Sequence, residues 1–297
     1  MDADQAYRAA CELLSHSRGS DAAAQAADLA DRASAAGCAA ADELLAVLAG
    51  VGIGMPQDWR AALGHLARAA DRGSAWAQGQ LAALGGAAFD VEAWLAKPDK
   101  RVLSEAPRAV AVAGFLPAAV CGWLIGRAAG RVRPAQLYDT RTGEARAGAG
   151  RSNSAFEFAF LDLDLVVVLV RAKMAAAIGA PVQVFETPQV LHYGVGETFA
   201  AHFDALDARQ PGMARQIAEA GQRVVTFIIY LNDDYQGGET HFPRLGLSHR
   251  GRAGDALYFA NTGPDGAPDP RTLHAGLPPT AGEKWLFSQW IRNRSRG

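Results

Sequence analysis

Cysteine is scarce in this chain. Its 297 residues hold three, Cys11, Cys38 and Cys121, far apart and without a CxxC pair, so no disulfide framework is encoded. That usage fits a reducing compartment. An excess of either charge is also lacking: 29 Lys and Arg face 31 Asp and Glu, a formal net charge of -2. There is thus no basic field to attract nucleic acid, and the arginines at 292, 294 and 296 read as a small solvated tail. Long apolar runs are missing as well. The longest candidate, residues 161–170, is too short to span a membrane and carries Asp162 and Asp164. The opening MDADQAYRAACELL has no basic stretch followed by an apolar one, so it is not read as a secretory signal. The expectation is a cytoplasmic protein with no nucleic-acid or membrane partner.

What the chain does have is apolar content, 49% of its residues, enough to bury a sizeable core and to fill two domains. Residues 1–90 are alanine-rich with few β-branched residues, a composition that favours helix. Leu44, Leu45 and Leu48, then Leu63, Leu66 and Ala70, recur at helical spacing around the break Gly50-Val51-Gly52-Ile53-Gly54-Met55-Pro56. An internal repeat is also visible, with Gly37 and Gly73 in equivalent places of two similar stretches. Residues 91–107, with Lys97-Pro98-Asp99-Lys100 and Pro107, read as a linker. Residues 108–297 then change character. A strand is expected over 108–115 and helices over 116–131 and 160–178. Short strands follow over 182–193, 223–231, 255–259 and 284–291, separated by glycine-rich turns. The fold class implied is α+β, a sheet sandwich buttressed by helices and preceded by a small all-α region.

One segment carries chemistry. In a strand, residues i and i+2 share a face, so His202 and Asp204 of Tyr193-Gly194-Val195-Gly196-Glu197-Thr198-Phe199-Ala200-Ala201-His202-Phe203-Asp204 can present an imidazole and a carboxylate to one point. One more histidine completes a two-His-one-carboxylate set, which holds iron(II) on one face and leaves positions open. His241 and His249 are candidates. His274 is favoured, lying far downstream just before another strand. His16, His65 and His192 read as structural or solvated. Lys284, embedded in Glu283-Lys284-Trp285-Leu286-Phe287-Ser288-Gln289-Trp290, is costly to bury unless it meets an anion; an exposed edge lysine is the plainer alternative.

These residues together resemble the prolyl 4-hydroxylase family of 2-oxoglutarate oxygenases over about residues 107–294. The resemblance rests on Gly114-Phe115-Leu116-Pro117, Arg151-Ser152-Asn153-Ser154, the block from Tyr193 to Asp204, Thr226-Phe227-Ile228-Ile229-Tyr230-Leu231-Asn232, Gly238-Glu239-Thr240-His241-Phe242-Pro243, and His274-Ala275-Gly276 with Lys284-Trp285 and Trp290. It implies a double-stranded β-helix, or jelly roll, and His202, Asp204 and His274 as iron ligands and catalytic centre. It also implies Lys284, Tyr193 and Thr226 on 2-oxoglutarate, and Arg151 and Trp290 toward the substrate mouth. Iron(II), 2-oxoglutarate and O2, with ascorbate as reductant, are the cofactors implied; the substrate is a peptide or protein, hydroxylated on proline. Phe199 departs from the family, which often has a tyrosine there, and this leaves open a free amino acid or another small molecule. Residues 45–82 resemble a Sel1-type repeat, implying a protein partner for the N-terminal helices, and a non-enzymatic interaction protein is the remaining alternative. Asp204 argues against a halogenase, in which the carboxylate is replaced.

Overall fold

The computed structural model describes residues 2–16, 19–138, 145–146 and 150–295; Arg296, the end of the basic tail, lies outside them. The chain forms two compact units, Met1–Ala96 with Phe158–Ile178, and Lys97–Glu157 with Gly179–Gly297.

The first unit is helical, and alanine sets its construction. Ala10, Ala26, Ala30, Ala33, Ala41, Ala46 and Ala49 are fully buried, so the helices Ala3–His16, Ser20–Ala35 and Ala39–Val51 pack through small side chains around Leu45 and Leu48. The two similar stretches share a turn. Helix Ser20–Ala35 hands over to Ala39–Val51 through Gly37, and Trp59–Asp71 to Ala75–Leu84 through Gly73. Both glycines have positive φ, 95° and 87°. Their turns make the same bonds, Gly37 N–H to Ser34 and Cys38 N–H to Ala33, against Gly73 N–H to Ala70 and Ser74 N–H to Ala69. Gly54 is needed for another reason: a Cβ there would lie 2.2 Å from the Ala23 carbonyl oxygen.

A charge is buried between these helices. Asp42 is fully buried, accepting from Ser34 Oγ and Arg68 Nε at 2.7 Å each and pairing with Arg72. Burial alone would raise its carboxyl, but these hydrogen bonds and guanidinium charges hold it below the ordinary value. Asp58 caps helix Trp59–Asp71, accepting from the N–H groups of Arg60 at 2.8 Å and Ala61 at 3.0 Å. Asp58→Ala strands both donors and is expected to cost about 1 kcal/mol, read as a lowered urea midpoint.

The stretch expected as one helix over 160–178 is a 3-10 turn, Phe160–Asp162, and a helix, Leu165–Ile178. Asp164 separates them, its side chain accepting from Val167 N–H at 2.9 Å. The helix is not apolar on one face only: Leu165 to Val170 are buried without a gap. It lies in the helical unit, where Trp94 Nε1 donates to the Leu169 carbonyl at 2.9 Å and Lys173 Nζ to that of Trp94 at 2.6 Å. Nor is 91–107 a structureless linker. Asp90 caps the short helix Val91–Leu95, and Arg101–Glu105 is a strand. Among the described residues no helix is long and apolar enough to cross a membrane.

The second unit is built on two antiparallel sheets. Among the described residues the larger has eight strands, in the order Arg101–Glu105, Arg108–Val112, Ala256–Ala260, Arg223–Tyr230, Lys284–Arg292, Gln189–Tyr193, Ser154–Glu157 and Arg133–Pro134. The smaller has four, Leu247–His249, Thr240–Phe242, His274–Gly276 and Phe199–His202. From Gln189 onward the chain alternates between them. Over these two sheets it runs large, small, large, twice small, large, small, large, while Gln236–Gly237 and Pro279–Ala281 pair with each other. That is the double-stranded β-helix, or jelly roll. Its interior is apolar: Leu191, Tyr193, Ile228, Tyr230, Leu257, Phe259 and Leu286 come from the large sheet and Phe242 from the small one. The strand expected over 182–193 is shorter, Gln189–Tyr193, with a 3-10 turn at Val182–Val184; Pro181 and Pro188 cannot donate to a ladder.

Candidate metal centre

Strand register brings the candidate ligands together. His274 lies directly opposite His202 in the antiparallel pair of His274–Gly276 and Phe199–His202, and their rings are 4.3 Å apart. Asp204 follows His202 by two residues. Its Oδ1 is 3.5 Å from His202 Nε2 and its Oδ2 3.4 Å from His274 Nε2. All three offer a ligand atom within 4.8 Å of the others. Each imidazole is oriented by its other nitrogen: His202 Nδ1 meets the Ala200 carbonyl at 2.8 Å, and His274 Nδ1 that of Thr272 at 3.0 Å. A carbonyl can only accept, so Nδ1 donates and Nε2 is the nitrogen turned inward. Burial, then the neighbouring His274, pushes His202 toward its neutral, ligating form. Asp204 feels burial in the opposite sense, yet the two histidines hold its carboxyl well below the usual range. Two imidazoles and one carboxylate are a donor set that fits iron(II).

The other histidines are elsewhere. His241 Nδ1 meets Ser248 Oγ at 2.7 Å. His249 sits opposite Thr240, and its buried Nε2 has no partner among the described residues. His192 pairs with Glu283 at 3.1 Å. His65 lies beside Asp42, and His16 meets the Glu12 carbonyl.

The three donors open into a cavity that all the residues singled out in the sequence line: Arg151, Tyr193, Thr226, Lys284 and Trp290 share it with His202, Asp204 and His274. Lys284 is fully buried, paired in register with Tyr193, its Nζ 4.9 Å from the tyrosine ring centre. It is not an edge lysine. Its ammonium donates to the Gly238 carbonyl at 2.6 Å, and burial pushes its pKa down to about 7, against the pull of Glu239. Gly276 leaves room for Tyr193, since a Cβ there would lie 3.2 Å from the phenol oxygen.

Two residues differ from their expected surroundings. Thr226 lines the cavity, but its hydroxyl donates to Asp204 Oδ2 at 2.6 Å, so its proton is already committed to the carboxylate. A second hydroxyl was missed: Thr240 also lines the cavity, with its Oγ1 3.0 Å from Tyr230 OH. The alternation of Thr240 and Phe242 against His241 was the signal that could have found it. Phe199 stacks on His202 at 3.5 Å and 12°, with the Arg151 guanidinium 4.4 Å from the centre of its ring. The phenyl ring thus braces the imidazole of a candidate ligand. Trp290 is backed by Arg223 at 3.7 Å, which Glu186 holds by two bonds of 2.6 and 2.9 Å.

Residues 188–292 match the model of the 2OG-Fe(II) oxygenase superfamily. The chain is similar to probable prolyl 4-hydroxylase 9 of Arabidopsis thaliana, 30% identical over 213 residues, 66% of this chain and 72% of that protein. It is similar also to probable prolyl 4-hydroxylase 6 of the same plant, 33% identical over 214 residues, 66% and 72% of the two chains. Among solved structures, the viral collagen prolyl hydroxylase of Paramecium Bursaria Chlorella virus-1, as its 2OG complex, aligns with a TM-score of 0.48 and 26% identity, covering 62% of this chain and 95% of that one.

Proposed function

The chain belongs to the prolyl 4-hydroxylase family of iron(II)- and 2-oxoglutarate-dependent oxygenases, and from that premise we propose that it hydroxylates a prolyl residue of a peptide or protein at a centre formed by His202, Asp204 and His274. The observation that carries this reading is the convergence of two inward-turned Nε2 atoms and one carboxylate in a cavity that also holds a buried lysine. When bound, iron(II) supplies the coupling of O2 reduction to the conversion of 2-oxoglutarate into succinate and CO2, with one oxygen atom entering a substrate C–H bond.

The chain's own residues do the rest. His202, Asp204 and His274 hold the metal and leave its remaining positions to the reactants. Lys284 gives the distal carboxylate of 2-oxoglutarate a desolvated cation, stronger here than at the surface. Tyr193 OH supplies a hydrogen bond beside it, while Thr226 steadies Asp204. Leu191, Ile228, Phe259 and Leu286 line the cavity and keep water from it. Arg151 and Trp290 face the incoming substrate. The two helix–turn–helix units are read as Sel1-like repeats that engage a protein partner, in a cytoplasmic enzyme that uses ascorbate as reductant.

The test is product mass. Protein with iron(II), 2-oxoglutarate and ascorbate is offered a proline-containing peptide library and, separately, free amino acids. A gain of one oxygen atom on peptidyl proline, with succinate in equal amount, is expected. A gain confined to free amino acids contradicts the proposed substrate and favours the small-molecule alternative, for which Phe199 in place of tyrosine is the observation.

A further inference from the structure

Behind Asp204 lies a chain of buried polar groups that ligation alone does not explain. Thr226, 3% exposed, donates to Asp204 Oδ2 at 2.6 Å. Asn261, fully buried, donates from Nδ2 to Thr226 Oγ1 at 2.9 Å. The direction of both bonds is fixed by valence. An ionised carboxylate only accepts, so the threonine proton points to Asp204. The threonine oxygen must then accept, and only the amide NH2 can supply that proton. This leaves Asn261 Oδ1 without a partner among the described residues. A buried carbonyl in that state costs free energy that an aliphatic side chain of similar size avoids.

The main chain of Asn261 is clamped as well. Its N–H donates to the Val224 carbonyl at 2.8 Å, and its carbonyl accepts from Asp269 N–H at 3.0 Å. The Asp269 carbonyl takes both the N–H and the hydroxyl of Thr272, at 3.0 and 2.7 Å. The Thr272 carbonyl in turn accepts from His274 Nδ1 at 3.0 Å. One buried residue therefore reaches two ligands, Asp204 through its side chain and His274 through its backbone.

We propose that Asn261 is a positioning residue of the metal centre, orienting the Asp204 carboxylate through Thr226, and that the Thr226 hydroxyl serves the metal ligand rather than 2-oxoglutarate. The inference rests on reading His202, Asp204 and His274 as the metal site. Positioning through hydrogen bonds to ligands commonly changes metal affinity about 10- to 100-fold.

The experiment titrates metal-free protein with Co(II), followed by ligand-field absorption, and records the thermal midpoint of the same metal-free samples. Asn261→Leu and Thr226→Val are expected to weaken Co(II) binding about 10- to 100-fold, while Thr226→Ser, which keeps the hydroxyl, binds as the parent does. The midpoint of metal-free Asn261→Leu is expected to equal or exceed the parent's, since the unpaired carbonyl is gone; a purely structural asparagine gives a lower midpoint with unchanged affinity. Parental Co(II) affinity in Asn261→Leu overturns the inference, as does a Thr226→Val protein that binds Co(II) normally but needs more 2-oxoglutarate. Failure of the parent to bind Co(II), or binding that survives His202→Ala, overturns the metal-site reading instead.

Discussion

Alanine at His202, Asp204 or His274 is expected to strip the protein of iron after dialysis and to lower succinate release at least about 1000-fold, a loss of ~4 kcal/mol in transition-state stabilisation. No neighbour can substitute. Among the described residues the cluster of donor atoms within 4.8 Å consists of these three residues, while His241 is bonded to Ser248 and His249 lies on the edge strand Leu247–His249 opposite Thr240. Asp204→Ala removes the charge that offsets a divalent ion as well as a ligand, leaving two neighbouring imidazoles facing a cation. Metal content by mass spectrometry and succinate yield, measured on the same samples, check it. Retained iron in any single variant would assign that residue a role other than ligation.

Lys284→Ala is expected to raise the Kd for 2-oxoglutarate by about 1.5–3 kcal/mol, on the order of 10- to 150-fold, while metal affinity stays near the parent's. The ammonium is fully buried and contributes to no metal ligand's hydrogen bonds. Its protonation adds a pH signature. Burial pushes Lys284 down to about 7 in the ligand-free protein, so above that pH the dicarboxylate binds only with uptake of a proton. Kd should climb with pH toward about tenfold per unit, and the climb should flatten in Lys284→Arg, whose guanidinium stays charged. The folding linkage has the opposite sense. The folded pKa lies below the unfolded value of about 10.4, so the unfolded chain holds more protons between the two. The ligand-free protein therefore gains stability from this group as pH rises from about 7 to about 10, and bears the whole burial cost below 7. Calorimetric titration across that range is the check; a flat Kd would deny Lys284 its part in anion binding.

The i, i+2 spacing pointed to His202 and Asp204, but the strand Phe199–His202 ends at the histidine and Asp204 lies in the bend that follows, so the two carry ligand atoms to one point without sharing a strand face. The third ligand was harder. That His274 stands directly opposite His202 depends on a register between segments far apart in sequence, and in the sequence only its place before a later strand and the surrounding motifs set it above His241 and His249. Lys284 was legible as a cation too costly to bury unpaired. Thr226 was legible as a cavity residue but not in the direction of its hydroxyl, which is set by a neighbour 22 residues away. The inward face of Thr240 shows in the sequence only as its alternation with His241. The fold was readable where hydrophobic period is long, as in Arg223–Tyr230 and Lys284–Arg292. It was not where elements are short: Val91–Leu95 and Arg101–Glu105 are five residues each, too few to show a period against mixed charge. Helix Leu165–Ile178 was assigned to the following domain by adjacency, but its unbroken apolar turns are buried in the helical unit. Chain order alone carries no such information.

The most direct test is a crystal structure of the protein grown anaerobically with iron(II), with anomalous data collected at the iron edge. The expected result is one strong peak within bonding distance of His202 Nε2, His274 Nε2 and an Asp204 carboxylate oxygen. A peak held by other residues, or none at this cluster in protein shown to carry iron, would contradict the account.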